Sequence, residues 1–110
     1  MAYDDELADR VRAVLSRYPG LTERRMFGGI AFMLGGHMAA GVVRDQVMVR
    51  VGVDGHETAL ADGATAMTMG DRTMRGTVAV GPDLWGDQEV LDAWLTRGAE
   101  HAGSLEPKGG

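Results

Sequence analysis

Near the start of the chain, hydrophobic positions recur every three or four residues. This spacing is typical of one face of an α-helix, and the positions are Leu7, Val11, Val14, Leu15 and Tyr18. The pattern predicts a helix over residues 4–18, with carboxylates in its first turn and Pro19–Gly20 at its end. A second stripe predicts a helix over residues 87–102 and consists of Val90, Leu91, Trp94 and Leu95.

Between these two helices the pattern changes to a period of two, which predicts β-strands. Side chains of alternating character follow one another along Ile30–Leu34, Val47–Val51 and Met74–Val80. A shorter strand is expected over Ala66–Met69, before a turn at Gly70–Asp71. The central part of the chain is therefore expected to form a sheet.

The connections between these elements indicate the fold class. Gly35–Gly36 is expected to form a two-residue hairpin turn because such turns need positive φ, and Gly28–Gly29 is expected to bend the chain into the first strand. A short helix is expected over residues 55–62, where Asp54 and Glu57 have the spacing of a capping box. Since short connections favour antiparallel neighbours, we predict an α+β fold with an antiparallel sheet, in the order α-β-β-β-α-β-β-α.

The hairpin turns also predict which residues share a face of the sheet. With turns at Gly35–Gly36 and Arg44–Asp45, alternation assigns one apolar face to Ala31, Met33, Met38, Ala40, Val42, Val47, Val49 and Val51. This face is expected to lie under the helices. The opposite face receives Ile30, Phe32, Leu34, His37, Ala39, Met48 and Arg50. It is too apolar for an ordinary solvated face, so it either forms a contact surface, with Ile30, Phe32 and Met48 as candidate interface residues, or is covered within the monomer.

Length and composition restrict the function classes. With 110 residues the chain is expected to form one domain, with an ordered core over 4–103 and a tail over 104–110. The absence of cysteine excludes disulfides, thiol nucleophiles and thiolate metal sites. The net charge of −5 disfavours stand-alone nucleic-acid binding. No signal-peptide pattern and no long apolar run is present, so a cytoplasmic location is expected.

The glycine pairs of residues 28–36 raise the possibility of a phosphate-binding loop, but the sequence disfavours it. Such a loop needs a lysine followed by serine or threonine at the start of a helix, and the single lysine of the chain is Lys108. The histidines, His37, His56 and His101, lack the spacing of metal ligands. We therefore expect no metal, no cofactor and no catalytic residue.

Four arginines are the candidate binding residues: Arg24, Arg25, Arg50 and Arg75. A guanidinium group suits recognition of a carboxylate or a phosphate, so these residues are candidates for binding a partner or an anion. The alternative is that they pair with Asp or Glu and merely solvate the surface.

Six short segments carry a further signal. They are Arg25–Gly29, Ile30–Met33, Val47–Gly52, Met74–Gly76, Trp94–Leu95 and Ser104–Lys108. Together they resemble the N-terminal domain of the TfoX/Sxy family over most of the chain, from about Leu7 to Lys108. Thr77–Val80 departs from this pattern, because relatives tend to carry aromatic residues there.

The resemblance implies a fold and a role. Family members carry the predicted α-β-β-β-α-β-β-α order, which resembles a secretion-chaperone-like fold whose members often dimerise. Full-length competence regulators of the family add a C-terminal helical domain, and this chain is expected to be a stand-alone N-terminal domain without it. The implied role is activation of competence genes alongside a cyclic-AMP receptor transcription factor, and the family supplies no catalytic residues.

Three functions remain open, of which we favour the first. It is a non-enzymatic regulatory or protein-interaction module that resembles the N-terminal domain of TfoX competence regulators, forms a homodimer and acts through a protein partner. The second is a small anionic-ligand-binding protein or minor enzyme that uses an arginine cluster. The third is direct DNA binding, which the acidic composition disfavours.

Overall fold

A computed structural model describes residues 3–26, 28–69 and 71–106 of the chain. Within that part, helices and strands follow in the order α1 (Asp5–Leu15), β1 (Leu21–Met26), β2 (Gly29–Leu34), β3 (His37–Val43), β4 (Gln46–Arg50), α2 (His56–Ala61), β5 (Thr65–Met69), β6 (Arg72–Val80), α3 (Pro82–Trp85) and α4 (Gln88–Ser104). The strands form one sheet in the order β1-β2-β3-β4-β6-β5, and all neighbours are antiparallel. The predicted α+β class with an antiparallel sheet is confirmed.

The sheet contains one strand more than the predicted order. Strand β1 pairs along its whole length with β2, so that Met26 lies opposite Gly29. The expected bend at Gly28–Gly29 is therefore part of a hairpin connection, in which Gly28 has a φ of 76°. Polar and charged residues fill β1, because one of its edges faces solvent, and its sequence therefore lacks the alternation of a half-buried strand.

The two long helices form where the hydrophobic stripes predict them. Helix α1 begins after Asp4, whose carboxylate accepts a hydrogen bond from the backbone N–H of Leu7 at 3.0 Å. Helix α4 is capped in the same way by Asp87. The predicted capping box at Asp54 and Glu57 is wrong, because Gly55 occupies the N-cap position of α2 and no side chain caps it.

A β-bulge changes which residues share a face of the sheet. Met33 lies opposite Met38 as predicted, but the register shifts between Phe32 and Met33, so that Phe32 lies opposite Ala40. The extra residue on β3, Ala39, reverses the predicted side of β2 relative to β3 and β4. The predicted division into faces is therefore wrong for β2 and also for His37 and Met38, which precede the bulge on β3.

Ile30, Phe32 and Leu34 lie on the same face as the valines of β3 and β4. Ile30 and Phe32 are 3% and 0% exposed and belong to the hydrophobic core. The prediction that Ile30 and Phe32 lie on an exposed contact face is therefore wrong.

We call this side of the sheet the covered face, since α1 and α4 pack on it. Its strand residues in the core are Ile30, Phe32, Leu34, Ala40, Val42, Val47, Val49, Val78 and Val80. The helices contribute Leu7, Ala8, Val11, Val14, Leu15, Leu91, Trp94, Leu95, Ala99 and Ala102. Helix α4 comes so close to the bulge that a Cβ at Gly98 would overlap the carbonyl oxygen of Ala39.

Gly76 connects strand β6 by hydrogen bonds to α2 and to the segment that follows β4. It has a φ of 92°, its carbonyl accepts hydrogen bonds from the backbone of Val51 and Gly52, and its N–H donates to Nδ1 of His56 at 3.1 Å. His56 is 4% exposed. The glycine of the Met74–Gly76 segment is thus required by backbone geometry.

Two expectations fall partly outside the described residues. Gly70 of the expected Gly70–Asp71 turn is one such residue, and so are residues 107–110 of the expected tail. No helix in the described ranges is long and apolar enough to cross a membrane.

Candidate interaction face

The other side of the sheet, called the open face below, carries no helix of the described chain. Cross-strand pairing defines a row of residues along it, and this row consists of Arg24, Ala31, Gly41, Met48 and Ala79. By alternation Met33 and Met38 belong to the neighbouring row, together with Arg50 opposite Thr77. None of these residues belongs to the hydrophobic core cluster.

Methionine dominates the apolar part of the open face. Met33, Met38 and Met48 are half-buried. The methyl group of Met48 lies over Gly41, since a Cβ there would approach its Cε to 2.7 Å. Val43 covers Gly29 in the same way, with its Cγ2 at 2.6 Å from a Cβ placed there. Larger apolar side chains thus cover the glycines of this part of the open face.

The structure separates the four candidate arginines. Arg24 on β1 and Arg50 on β4 both take open-face positions, whereas Arg25 lies opposite Ile30 and so belongs to the other side. Arg75 is exposed on β6 beside the irregular pairing with β5. Three strand spacings separate Arg24 from Arg50, which corresponds to roughly 14 Å across the sheet. They do not form one cluster that would hold a single small anion.

Of the predicted interface residues, only Met48 lies on the open face. Its role in an interface, like the binding roles of the four arginines, stays a prediction.

The open face carries positive charge without nearby carboxylates to neutralise it. Among the described residues, no Asp or Glu takes an open-face position in the paired strands, because Glu23 lies opposite Phe32 on the covered side. None of the four candidate arginines makes an ion pair within 4 Å in the described part of the chain.

Three of the arginines on the helix side have a different environment, whereas Arg10 donates hydrogen bonds to Gln88 and to the Trp85 carbonyl. Arg12 binds Asp9 and Glu23, Arg17 binds Asp92, and Arg97 binds Asp62. The hydrogen bond from Arg12 lowers the pKa of Glu23 below its usual value, with a smaller contribution from the nearby charge of Arg25, while burial acts in the opposite direction.

The charge of the whole chain is divided in the same manner. The strands and their hairpin turns, residues 21–50 and 65–80, contain six arginines and three carboxylates. The helices and their connections, residues 1–20, 51–64 and 81–106, contain four arginines and thirteen carboxylates. The net charge of −5 is therefore the sum of a positively charged sheet region and a negatively charged helix region.

The histidines do not form a site with one another or with carboxylates. Nδ1 of His56 accepts the bond from Gly76, and Nε2 of His37 lies 2.6 Å from the carbonyl oxygen of Glu106. His101 packs against Gly52, and burial, together with the charges of Arg50 and His37, lowers its pKa. In the described ranges, no group of three His, Asp or Glu residues has the arrangement of a metal site.

A depression on the helix side is one candidate place for a small ligand. Arg97, Glu100 and His101 line it, together with residues of α2 and the segment before it. Arg97 is already bound to Asp62 at 2.6 Å, and the Glu100 carboxylate also lines the wall. An anion entering it would approach two carboxylates, so this depression is a poor anion site.

Comparison with known proteins identifies a family. The family model of the TfoX N-terminal domain matches residues 13–102. The search of curated proteins returned no match. The matched range includes both sides of the sheet and most of α4.

Proposed function

The chain belongs to the TfoX N-terminal domain family, and from this premise we propose that it is a non-enzymatic regulatory module that acts through a protein partner. The family points to a regulatory type of module. Transcription regulation, including competence, and a cytoplasmic location are the finer parts of this proposal.

The open face is the observation on which the proposal rests. It combines half-buried methionines with arginines that have no carboxylate beside them in the described structure. Methionine side chains adapt to different partner shapes. A monomer without a partner gains little from an apolar face whose charges are all of one sign.

Two neighbouring arginines provide the test. Arg24 and Arg25 are both exposed on β1, but only Arg24 lies on the open face. Affinity capture from a native lysate, with the wild-type chain and the variants Arg24→Glu and Arg25→Glu, is followed by quantitative mass spectrometry. We expect a protein that the wild type and Arg25→Glu retain and that Arg24→Glu loses. If every retained protein responds equally to both changes, the proposal is wrong.

Homodimerisation is the second part of the proposal, and the edge strand β5 supports it. Thr65–Met69 contains no charged residue, whereas the opposite edge strand, β1, carries Glu23, Arg24 and Arg25. Uncharged edges pair readily with other strands. Light scattering at tens of micromolar is expected to give the mass of two chains, and a monomer at that concentration removes this part.

A small anionic-ligand protein or minor enzyme is the alternative, in which a single unpaired strand arginine would bind the anion, since the arginines do not form a cluster. A specific ligand at concentration [L] would stabilise the fold by RT ln(1 + [L]/Kd). A thermal-shift screen against anionic metabolites distinguishes the two. A saturable shift that Arg24→Glu or Arg50→Glu abolishes would favour the alternative.

A further inference from the structure

We propose that the open face binds an acidic amphipathic helix of a partner protein, with its apolar stripe on the methionines and its carboxylates on Arg24 and Arg50. This inference rests on the proposed function and specifies the chemistry of the partner. The dimensions, the shape and the charge of the open face each support it.

The shape of the open face fits a helix. Met48 and Val43 lie over Gly41 and Gly29, so apolar side chains cover the two glycines of the central strands and offer apolar contacts to a helix. A sheet with one bare apolar face is typically completed by helices packed on it. A strand could not be added here, because strands pair at edges and the backbone groups of the central strands are already bonded within the sheet.

The spacing of the two arginines fits the same occupant. Arg24 and Arg50 lie roughly 14 Å apart across the strands, with Met33 and Met38 on the two strands between them and Met48 two residues from Arg50 on β4. A helix with its side chains is about 10–12 Å wide. A helix seated on the methionines would therefore have one guanidinium group on each side. Carboxylates that flank its apolar stripe on both sides would reach them.

Charge argues against a second copy of the chain on the open face. A face-to-face dimer would bring the arginines of one copy towards those of the other, with no carboxylate on either face. The amphipathic helices α1 and α4 are also unavailable, since their apolar stripes are buried in their own core. A homodimer through the edge strand β5 leaves the open face available to the helix.

Nucleic acid fits the open face less well than an acidic helix. Phosphate contacts need donors along a continuous path, but thioether and aliphatic groups fill the space between Arg24 and Arg50. Duplex DNA would cover the methionines of the open face without making apolar contacts with them. An acidic helix uses both the apolar and the cationic groups.

A labelled synthetic peptide tests the proposal. It has about 18 residues, or five helical turns, with leucine at i, i+3, i+4 and i+7 positions and glutamate on both flanks. One control peptide has the same composition in scrambled order, and another carries lysine in place of glutamate. Binding is measured by fluorescence anisotropy at low salt, in competition with a duplex DNA of about 20 base pairs.

We expect saturable binding of the acidic helix and no saturable binding of either control peptide. Arg24→Glu is expected to weaken binding about tenfold, which is the size of a lost charge-assisted contact, whereas Arg25→Glu leaves it unchanged. Met48→Asp is expected to abolish binding. With methyl-labelled methionine, the resonances of Met33, Met38 and Met48 are expected to shift, which places the peptide on the open face independently of the variants. Circular dichroism of each variant establishes that it is folded.

Equal binding of the scrambled peptide, equal effects of Arg24→Glu and Arg25→Glu, or tighter binding of the DNA would overturn the inference. Failure of the peptide alone leaves the proposed function intact when lysate capture still distinguishes the two arginines, and then the partner has another chemistry. If that capture also fails to distinguish them, both proposals are wrong.

Discussion

The two faces of the sheet are both apolar, but their side chains differ in kind. Branched and aromatic residues form the covered face, among them Phe32, Val47 and Val49, each 0% exposed. The open face carries half-buried methionines beside small residues such as Ala31 and Gly41, which are themselves buried. Side chains with few rotamers suit a permanent contact with fixed helices, and flexible thioethers suit a contact that is made and broken. The type of apolar residue therefore distinguishes core from candidate interface better than hydrophobicity does.

The charges differ between the two sides in a parallel way. On the helix side, Arg12, Arg17 and Arg97 are each bound by a carboxylate, as Arg12 is by Glu23 at 2.5 Å. Arg24, which neighbours Glu23 in sequence, lies on the open face without such a partner in the described structure. Three arginines on the helix side are thus paired with carboxylates, whereas neither Arg24 nor Arg50 is paired in the described structure, which is why we assign the open face to a partner.

Neighbouring residues on β2 provide the strongest test of this comparison. Phe32→Ala is expected to lower the free energy of unfolding by about 3–5 kcal/mol, because a fully buried ring leaves a cavity. Met33→Ala, on the open face, is expected to cost about 1 kcal/mol or less, since half-buried groups lose less contact. Urea unfolding of both variants measures the difference. Equal losses would mean that the two faces do not differ in packing.

Two glycines of α4 test how closely the covered face is packed. Alanine normally favours a helix over glycine by up to about 1 kcal/mol. Gly98→Ala is expected to do the opposite and cost about 3 kcal/mol, since its Cβ would overlap the Ala39 carbonyl and a backbone oxygen cannot rotate away.

Gly103→Ala is the matched control for Gly98→Ala in the same helix. Among residues 3–26, 28–69 and 71–106, no atom beyond its chain neighbours and its own helix backbone lies within 4 Å of a Cβ at Gly103, so this change is expected to raise the melting temperature slightly, by an amount equivalent to about 0.5 kcal/mol. Thermal unfolding followed by circular dichroism compares both variants. A stabilised Gly98→Ala would contradict the close approach of α4 to the bulge on β3.

Periodicity predicted the parts of the fold in which local pattern and burial agree. The stripes of α1 and α4 and the Gly35–Gly36 turn, with φ values of 60° and 84°, are of this kind. Strand β1 lacked a signal, because a charged edge strand has no alternation to detect. The bulge also lacked one, since nothing in the residue type of Ala39 distinguishes a bulged position from a paired one.

The candidate site was predictable to a smaller extent than the fold. Alternation placed Met48 and Arg50 on the same side correctly, because no register shift separates them within β4. It placed Ile30 and Phe32 beside them incorrectly, since one extra residue reverses every side chain beyond it. Which face the helices cover is decided by packing between distant segments, and no local pattern contains that information.

The hydrogen bond between Gly76 of β6 and His56 of α2 provides a test of a buried polar contact. His56→Ala is expected to cost about 1–2 kcal/mol, because the Gly76 N–H would lose its acceptor in a buried position. Glu57→Ala, at the exposed neighbouring position, is expected to change stability by less than about 0.5 kcal/mol. Hydrogen exchange of the Gly76 amide measures the effect locally, and an unchanged rate in His56→Ala would show that the imidazole does not protect it.

The smallest expected effect is a pH dependence of the free energy of unfolding, which distinguishes the paired Glu23 from the unpaired Arg24. Since Arg12 lowers the pKa of Glu23 in the folded chain, the unfolded chain binds this proton more tightly. The contribution of the pair is therefore complete above the ordinary glutamate pKa and is lost as the pH falls through that value towards the lowered one. Both side chains are about one-third exposed, at 38% and 34%, so the contribution is expected to be about 0.5–1 kcal/mol.

Substitutions at adjacent positions of β1 isolate this contribution. Glu23→Gln is expected to lower stability at pH 7 and to flatten its decline between about pH 5 and pH 3. Arg24→Gln, on the open face, is expected to leave the shape of that decline unchanged, because no carboxylate in the described structure pairs with it. Urea midpoints at several pH values measure both curves. If Arg24→Gln flattened the curve as much as Glu23→Gln, the open face would contain a carboxylate partner, and its charge would already be satisfied within the chain.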